Sequence, residues 1–102
     1  MTATEPVVLV NVLKVEPGRQ DALISLLKRN IETVVRTLGG WRASRLIAAG
    51  DGAGVIIYSE WETPAAVEAM RNDPRMKAYF PQIRELASFD SILGETVFDE
   101  NR

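Results

Sequence analysis

Two residue types are missing from this chain, cysteine and histidine. Without cysteine there is no disulfide, no thiolate nucleophile and no zinc–sulfur site. Without histidine no imidazole can ligate heme iron, act as a base near neutral pH or complete a Ser-His-Asp triad. With both types gone the usual metal-binding cluster cannot be assembled, so no metal is expected. An excess of positive charge is missing too. Lys and Arg number 12 against 14 Asp and Glu, a net charge of −2, and the basic residues are scattered. That balance argues against nucleic acid or an anionic membrane as a partner, since either calls for a concentrated basic surface. Apolar runs are short: residues 7–10 form one, far below the ~20 residues that span a bilayer. Residues 1–6 hold no basic segment followed by an apolar one, so no signal peptide is read and a cytoplasmic protein is expected.

What is present is an ordinary globular balance: 102 residues, 46% hydrophobic and 25% charged, enough for one domain over residues 1–102. A domain of this size buries only about 60–65% of its unfolded surface, so its core is thin unless a partner adds to it. Residues 7–15 are rich in β-branched types and read as strand 1, which Pro17-Gly18 ends. Over residues 19–38, Leu23, Leu27, Ile31, Val34 and Leu38 recur at helical spacing, predicting one long amphipathic helix that Gly39-Gly40 stops. Residues 41–49 and 55–62 read as strands 2 and 3, joined by Gly50-Asp51-Gly52-Ala53-Gly54 as a hairpin. Thr63-Pro64 and Asp73-Pro74 are cap-plus-proline starts of two helical segments, the first reaching Asn72. Pro81 is expected to break or kink the second. Residues 90–98 read as strand 4, followed by a polar tail. The order β-α-β-β-α-β predicts an α+β, ferredoxin-like fold: a four-stranded antiparallel sheet with its helices on one face.

Strand 1 sets Leu9, Asn11 and Leu13 on one face and Val8, Val10 and Val12 on the other, so neither face is polar. Strand 3 sets Val55, Ile57, Ser59 and Trp61 against Ile56, Tyr58 and Glu60. Helices on one side leave the second apolar face open, and a twofold copy of the same sheet is the simplest cover. A homodimer is therefore expected, the two sheets forming an α+β barrel. The alternative is a monomer with a modest exposed patch.

No single motif names a reaction. The glycine-rich hairpin lacks the Lys-Ser/Thr ending of a phosphate loop and joins strand to strand. Asp51 and Asp73 stand at turn and cap positions suited to local hydrogen bonding. Glu60 and Glu62 flank Trp61 on the opposite face and read as surface or rim. Asn11 interrupts an apolar strand and either bonds locally or faces a pocket. Ser59 and Trp61 share a face with Ile57, and the indole N–H of Trp61 calls for a partner. By strict alternation Arg45 shares a face with Trp41, Ala43 and Ile47, so Trp41, Arg45 and Tyr79 are candidates to line one cavity, with Arg45 meeting an anionic substrate or pairing at the rim. Met70, Met76, Tyr79 and Phe80 form either an adaptable pocket wall or simply the helix face that packs on the sheet.

Several of these pieces together resemble a known family. Val15-Glu16-Pro17-Gly18 before a long helix, Gly39-Gly40-Trp41 after it, and Tyr58-Ser59-Glu60-Trp61-Glu62-Thr63 opening the second helix resemble the antibiotic biosynthesis monooxygenases, over residues 7–97. The resemblance implies a dimeric ferredoxin-like barrel with one pocket per protomer between sheet and helices. It implies oxidation of a polyphenolic aromatic, such as an anthrone, by molecular oxygen to a quinone, without flavin, heme or metal, so no cofactor is expected. Trp61 matches the family's strand-3 tryptophan, and Asn11 matches a strand-1 asparagine of some anthrone-oxidising members. Those members also carry an asparagine four residues before the tryptophan, where this chain has Ile57. The absence of histidine rules against the heme-degrading branch. On this reading Trp61 stacks on or hydrogen-bonds the aromatic substrate, and Asn11 polarises a carbonyl or stabilises an enolate. Arg45 or Tyr58 gives electrostatic help. Ile57, Ser59, Met70, Trp41, Tyr79 and Phe80 are the remaining substrate-binding candidates. A cofactor-free cyclase or isomerase, and a non-catalytic binding protein on the same barrel, are the alternatives.

Overall fold

The computed structural model describes residues 6–102; residues 1–5, which hold most of the segment read for a signal peptide, lie outside the described residues. Strand β1 (Val7–Val15) leads into helix α1 (Gln20–Thr33) and a 3-10 turn (Val35–Thr37). Strands β2 (Trp41–Ala48) and β3 (Gly54–Trp61) form the hairpin, helices α2 (Pro64–Asn72) and α3 (Pro74–Leu86) follow, and strand β4 (Ala87–Glu95) closes the sheet. The sheet runs β2-β3-β1-β4 with antiparallel neighbours throughout. The β-α-β-β-α-α-β order is the expected ferredoxin-like arrangement, its second helical region divided in two.

Both cap-plus-proline signals work as their chemistry dictates. Thr63 accepts from the Ala66 N–H at 3.1 Å and Asp73 from the Arg75 N–H at 2.8 Å, each just before a helix that starts with proline. Asp51 Oδ1 likewise accepts from the Ala53 N–H at 2.9 Å within the hairpin turn. The Asp73 carboxyl is held below its ordinary value, first by the side-chain hydrogen bond from Arg75 and further by that residue's backbone N–H and positive charge. Gly40, at φ +82°, brings the chain so close to α2 that a β-carbon there would lie 2.5 Å from the Ala66 side chain.

Four expectations are corrected. The first helix ends at Thr33 rather than continuing over residues 19–38, and a 3-10 turn takes over. Thr33, Val34 and Val35 are consecutive β-branched residues, poor in a helix, and leaving the helix buries both valines. Pro81 does not end its helix; α3 continues to Leu86. Pro81 and Lys77, four residues before it, lie on the exposed side, where water can serve the carbonyl that proline leaves unpaired. Strand β4 is Ala87–Glu95, not residues 90–98. It pairs with the whole of β1, from Val15↔Ala87 to Val7↔Glu95, so Val97 and Phe98 lie past the strand, exposed. Finally, β2 carries an irregularity between Trp41 and Ala43. One extra residue there reverses the alternation that follows. Ser44 and Leu46 pair with Ser59 and Ile57 on the helix-covered face, whereas Ala43, Arg45 and Ile47 pair with Glu60, Tyr58 and Ile56 on the open one.

The core falls into two clusters under the helices. Val7, Leu9, Val34, Val35, Trp61, Val67, Met70 and Met76 form one; Leu13, Val15, Leu23, Leu27, Val55, Ile83 and Ala87 form the other. The division occurs where β1 reads Leu9-x-Asn11-x-Leu13. Asn11 faces the helices between the two leucines, beside Ile57 on β3 and Ser91 on β4. An amide at that point interrupts an otherwise continuous apolar row.

Candidate active site

A cavity of about 210 Å³ lies between the sheet and the helices. Its floor is that same row of the sheet, Ile57, Asn11 and Ser91, continued by Leu9, Leu13, Ser59, Trp61 and Phe89. Helix α1 supplies Leu27, Asn30 and Ile31; Val35 follows from the 3-10 turn. The second helical region supplies Met70, Arg71, Met76, Phe80, Ile83 and Arg84. The lining is mainly apolar with a few polar groups, the usual make-up of a small-molecule site.

Trp61 is the largest fully buried side chain, with 1% of its surface exposed. Its Nε1–H donates to Ser59 Oγ at 3.1 Å, and Ser59 Oγ donates to the Leu9 carbonyl at 3.2 Å. The indole is thus oriented by a neighbour two residues earlier on the same face, and its one hydrogen-bond donor is engaged. What it offers the cavity is its aromatic surface.

Two amides also line the cavity, and their free ends differ. Ser91 Oγ donates to Asn11 Oδ1, which leaves the Asn11 NH₂ as the available group, a donor. Asn30 is buried at 5% exposure and its Nδ2 donates to the sulfur of Met76 at 3.3 Å, which leaves its carbonyl oxygen available, an acceptor. The charged groups in the lining are Arg71 and Arg84, and no carboxylate is part of the lining. The Arg84 guanidinium lies 5.9 Å from the ring centres of both Phe80 and Phe89, cation–π contacts that hold it against the wall. Arg71 reaches Glu68 at 3.9 Å, a loose and exposed pair. A partly shielded cavity with two guanidiniums and no acid favours an anion.

Of the candidates read from sequence, Asn11, Trp61, Ile57, Ser59, Met70 and Phe80 come together around this cavity, as does Met76. Trp41, Arg45, Tyr58 and Tyr79 do not line it. Trp41 packs on the first cluster, its Nε1–H bound to Ser44 Oγ at 2.9 Å. Tyr79 packs between the two clusters with its hydroxyl 3.4 Å from Thr33 Oγ1. Arg45 and Tyr58 pair with each other on the open face, Arg45 carried there by the irregularity in β2. Sequence reasoning missed Asn30, Arg71, Arg84, Phe89 and Ser91. Asn30 had a readable signal, since it interrupts the stripe Leu23, Leu27, Val34; Phe89 fell outside the strand read over residues 90–98, and Ser91, inside it, gave no local signal of its own.

Among the described residues no group of three or more Asp or Glu is placed to hold a metal ion, and no helix is long and apolar enough to cross a membrane.

Comparison with known proteins identifies relatives of the chain. The profile of the antibiotic biosynthesis monooxygenase family matches residues 6–82. Tetracenomycin-F1 monooxygenase of Streptomyces glaucescens is 32% identical over 79 residues, 78% of this chain and 70% of that protein. Among solved structures, SnoaB, a cofactor-independent oxygenase from Streptomyces nogalater, superposes with a TM-score of 0.78 at 17% identity, covering 96% of this chain and 95% of that one. Rv0793 from Mycobacterium tuberculosis gives 0.80 at 22% identity, over 95% and 100% of the two chains. These two likenesses concern the fold.

Proposed function

The chain belongs to the antibiotic biosynthesis monooxygenase family, and from that premise we propose that it oxidises a polyphenolic aromatic of polyketide type, an anthrone or quinol, with molecular oxygen to a quinone and without a cofactor. The observation that carries this reading is the cavity itself: a buried tryptophan face, two guanidiniums and an outward amide donor, with no carboxylate in the lining. The curated relative is a monooxygenase by name, and the Streptomyces nogalater structure of the same fold is described as cofactor-independent.

For an anthrone the chemistry balances as follows. The ring CH₂ loses a proton, giving an electron-rich enolate. The enolate passes one electron to oxygen; the carbon radical and superoxide combine, and a proton converts the adduct to a hydroperoxide. Loss of water across the C–H and O–O bonds leaves a second carbonyl, so one oxygen atom enters the product and the other leaves as water. The protein's part is to hold the ring system, stabilise the enolate and exclude bulk water. Trp61 supplies the stacking surface. The Asn11 NH₂ donates to the enolate oxygen, and Arg84 and Arg71 lower the cost of the negative charge. With no acid or imidazole in the lining, the proton leaves to water or to a substrate oxygen. Two protomers associate through the uncovered face of the sheet.

Ile57 favours a second reading, binding without turnover, because it puts an alkyl group where anthrone-oxidising relatives have an amide. Oxygen consumption by the metal-free protein with a simple tricyclic anthrone separates the two. Uptake above the enzyme-free rate that falls at least tenfold in Trp61→Phe, about 1.4 kcal/mol of barrier, supports oxygenation in this cavity. Conversion without oxygen uptake identifies a cyclase or isomerase, and binding without conversion a binding protein.

A further inference from the structure

We propose that Asn30 is a specificity-determining residue, its side-chain carbonyl accepting a hydrogen bond from a ring hydroxyl of the polyphenol; this rests on the reading of the cavity as a polyphenol site. Asn30 stands in the apolar stripe of α1, between Leu27 and Val34, at 5% exposure. A buried amide needs partners. Its nitrogen has only the Met76 thioether, a weak acceptor, at 3.3 Å. Its oxygen has no hydrogen-bond partner among the described residues, yet no side-chain polar atom among them is sealed in the interior without one. That oxygen therefore reaches the cavity that Asn30 lines.

An asparagine so placed weakens the empty fold. Leucine would fit the stripe without an amide to satisfy, so Asn30 is explained better by a ligand than by packing. Its polarity also complements that of the other amide. Asn11, on the sheet, presents N–H groups, which suit an oxyanion or a carbonyl. Asn30, on the helix, presents a carbonyl, which suits O–H. A hydroxylated ring system enters with its ionising oxygen at Asn11 and a neutral phenol hydroxyl at Asn30. A non-hydroxylated ring of the same size leaves the Asn30 oxygen without a partner.

The test is equilibrium binding of two stable tricyclic quinones, 2,6-dihydroxyanthraquinone, whose hydroxyls are not engaged by the ring carbonyls, and unsubstituted anthraquinone, followed by quenching of tryptophan fluorescence. Quinone binding requires no turnover, so the result stands whether or not the protein consumes oxygen. The wild type is expected to favour the hydroxylated ring by about tenfold, the scale of one net hydrogen bond. Asn30→Leu is expected to lose that preference while melting at a higher temperature than the wild type. Asn30→Gln, which keeps an amide on a longer arm, retains part of the preference and shows that the amide matters beyond volume. A structural amide predicts the reverse: Asn30→Leu less stable and the preference unchanged. Equal binding of the two quinones by the wild type, or tighter binding of the unsubstituted one, overturns the proposal; failure of both to bind overturns the reading of the cavity on which it rests.

Discussion

At the scale of single residues, the site depends on side chains whose polar ends are already engaged. Trp61 uses its N–H on Ser59, and Ser59 uses its hydroxyl on Leu9, so the indole plane is fixed before any substrate arrives. Gly40 holds the other side of the arrangement. Its carbonyl accepts from the N–H of Glu62 at 2.7 Å, the residue after Trp61, and its lack of a β-carbon lets α2 approach. Gly40→Ala meets both a left-handed backbone and the Ala66 side chain, and is expected to lose about 2–5 kcal/mol, the sum of one residue's left-handed cost and an overpacked contact. Gly39→Ala, next to it, meets nothing within 4 Å and is expected to be neutral or slightly stabilising. Urea unfolding of the two variants checks the contrast; similar losses in both would place the constraint in the loop rather than at the contact with α2.

At the scale of elements, periodicity and capping made most of the architecture legible. The Val7–Val15 strand, the Thr63 and Asp73 caps, and the grouping of Ile57, Ser59 and Trp61 follow from two-residue and 3.6-residue repeats plus local hydrogen-bond chemistry. What was not legible depends on pairing between distant segments. Ala87 is in β4 because Val15 is opposite it, and nothing local says so. The irregularity after Trp41 is a one-residue slip that transfers Arg45 to the open face, and a strand read alone cannot reveal it. The cations at the cavity come instead from α2 and α3, as Arg71 and Arg84, the latter held against the wall by Phe80 and Phe89. Arg84→Gln is therefore expected to lower turnover of an acidic anthrone and to move the rising limb of its pH–rate profile upward by about 1 unit, the low end for an opposite charge nearby. Arg45→Gln is expected to leave both unchanged. Because the lining holds no carboxylate and the chain no histidine, the limb should track the substrate's own acidity, which anthrones of graded pKa will show. A limb that stays fixed across that series would point to a titrating group on the protein.

At the scale of the whole molecule, the sheet is finished on one side only. Leu9, Leu13, Val55 and Trp61 are buried beneath the helices, while on the other face Val12 is 40%, Ile47 44% and Ile92 66% exposed, around half-buried Val8, Val10, Ile56 and Tyr58. A chain this short gains little from its own core, and an apolar sheet face in water is a cost that a second copy removes. In the proposed dimer folding and association are linked, so the melting temperature is expected to rise with protein concentration. Val10, paired with Tyr58 on one side and Ile92 on the other, is at the middle of that face. Val10→Asp is expected to give a monomer by light scattering that keeps its far-UV circular dichroism, melts lower than the wild type and has lost the concentration dependence. The substituted side chain points away from the cavity, so a loss of oxygen uptake in the folded monomer would mean that association holds the floor strands in register for catalysis. A wild type that is monomeric at micromolar concentration, with a melting temperature independent of concentration, would instead leave the open face to some other partner.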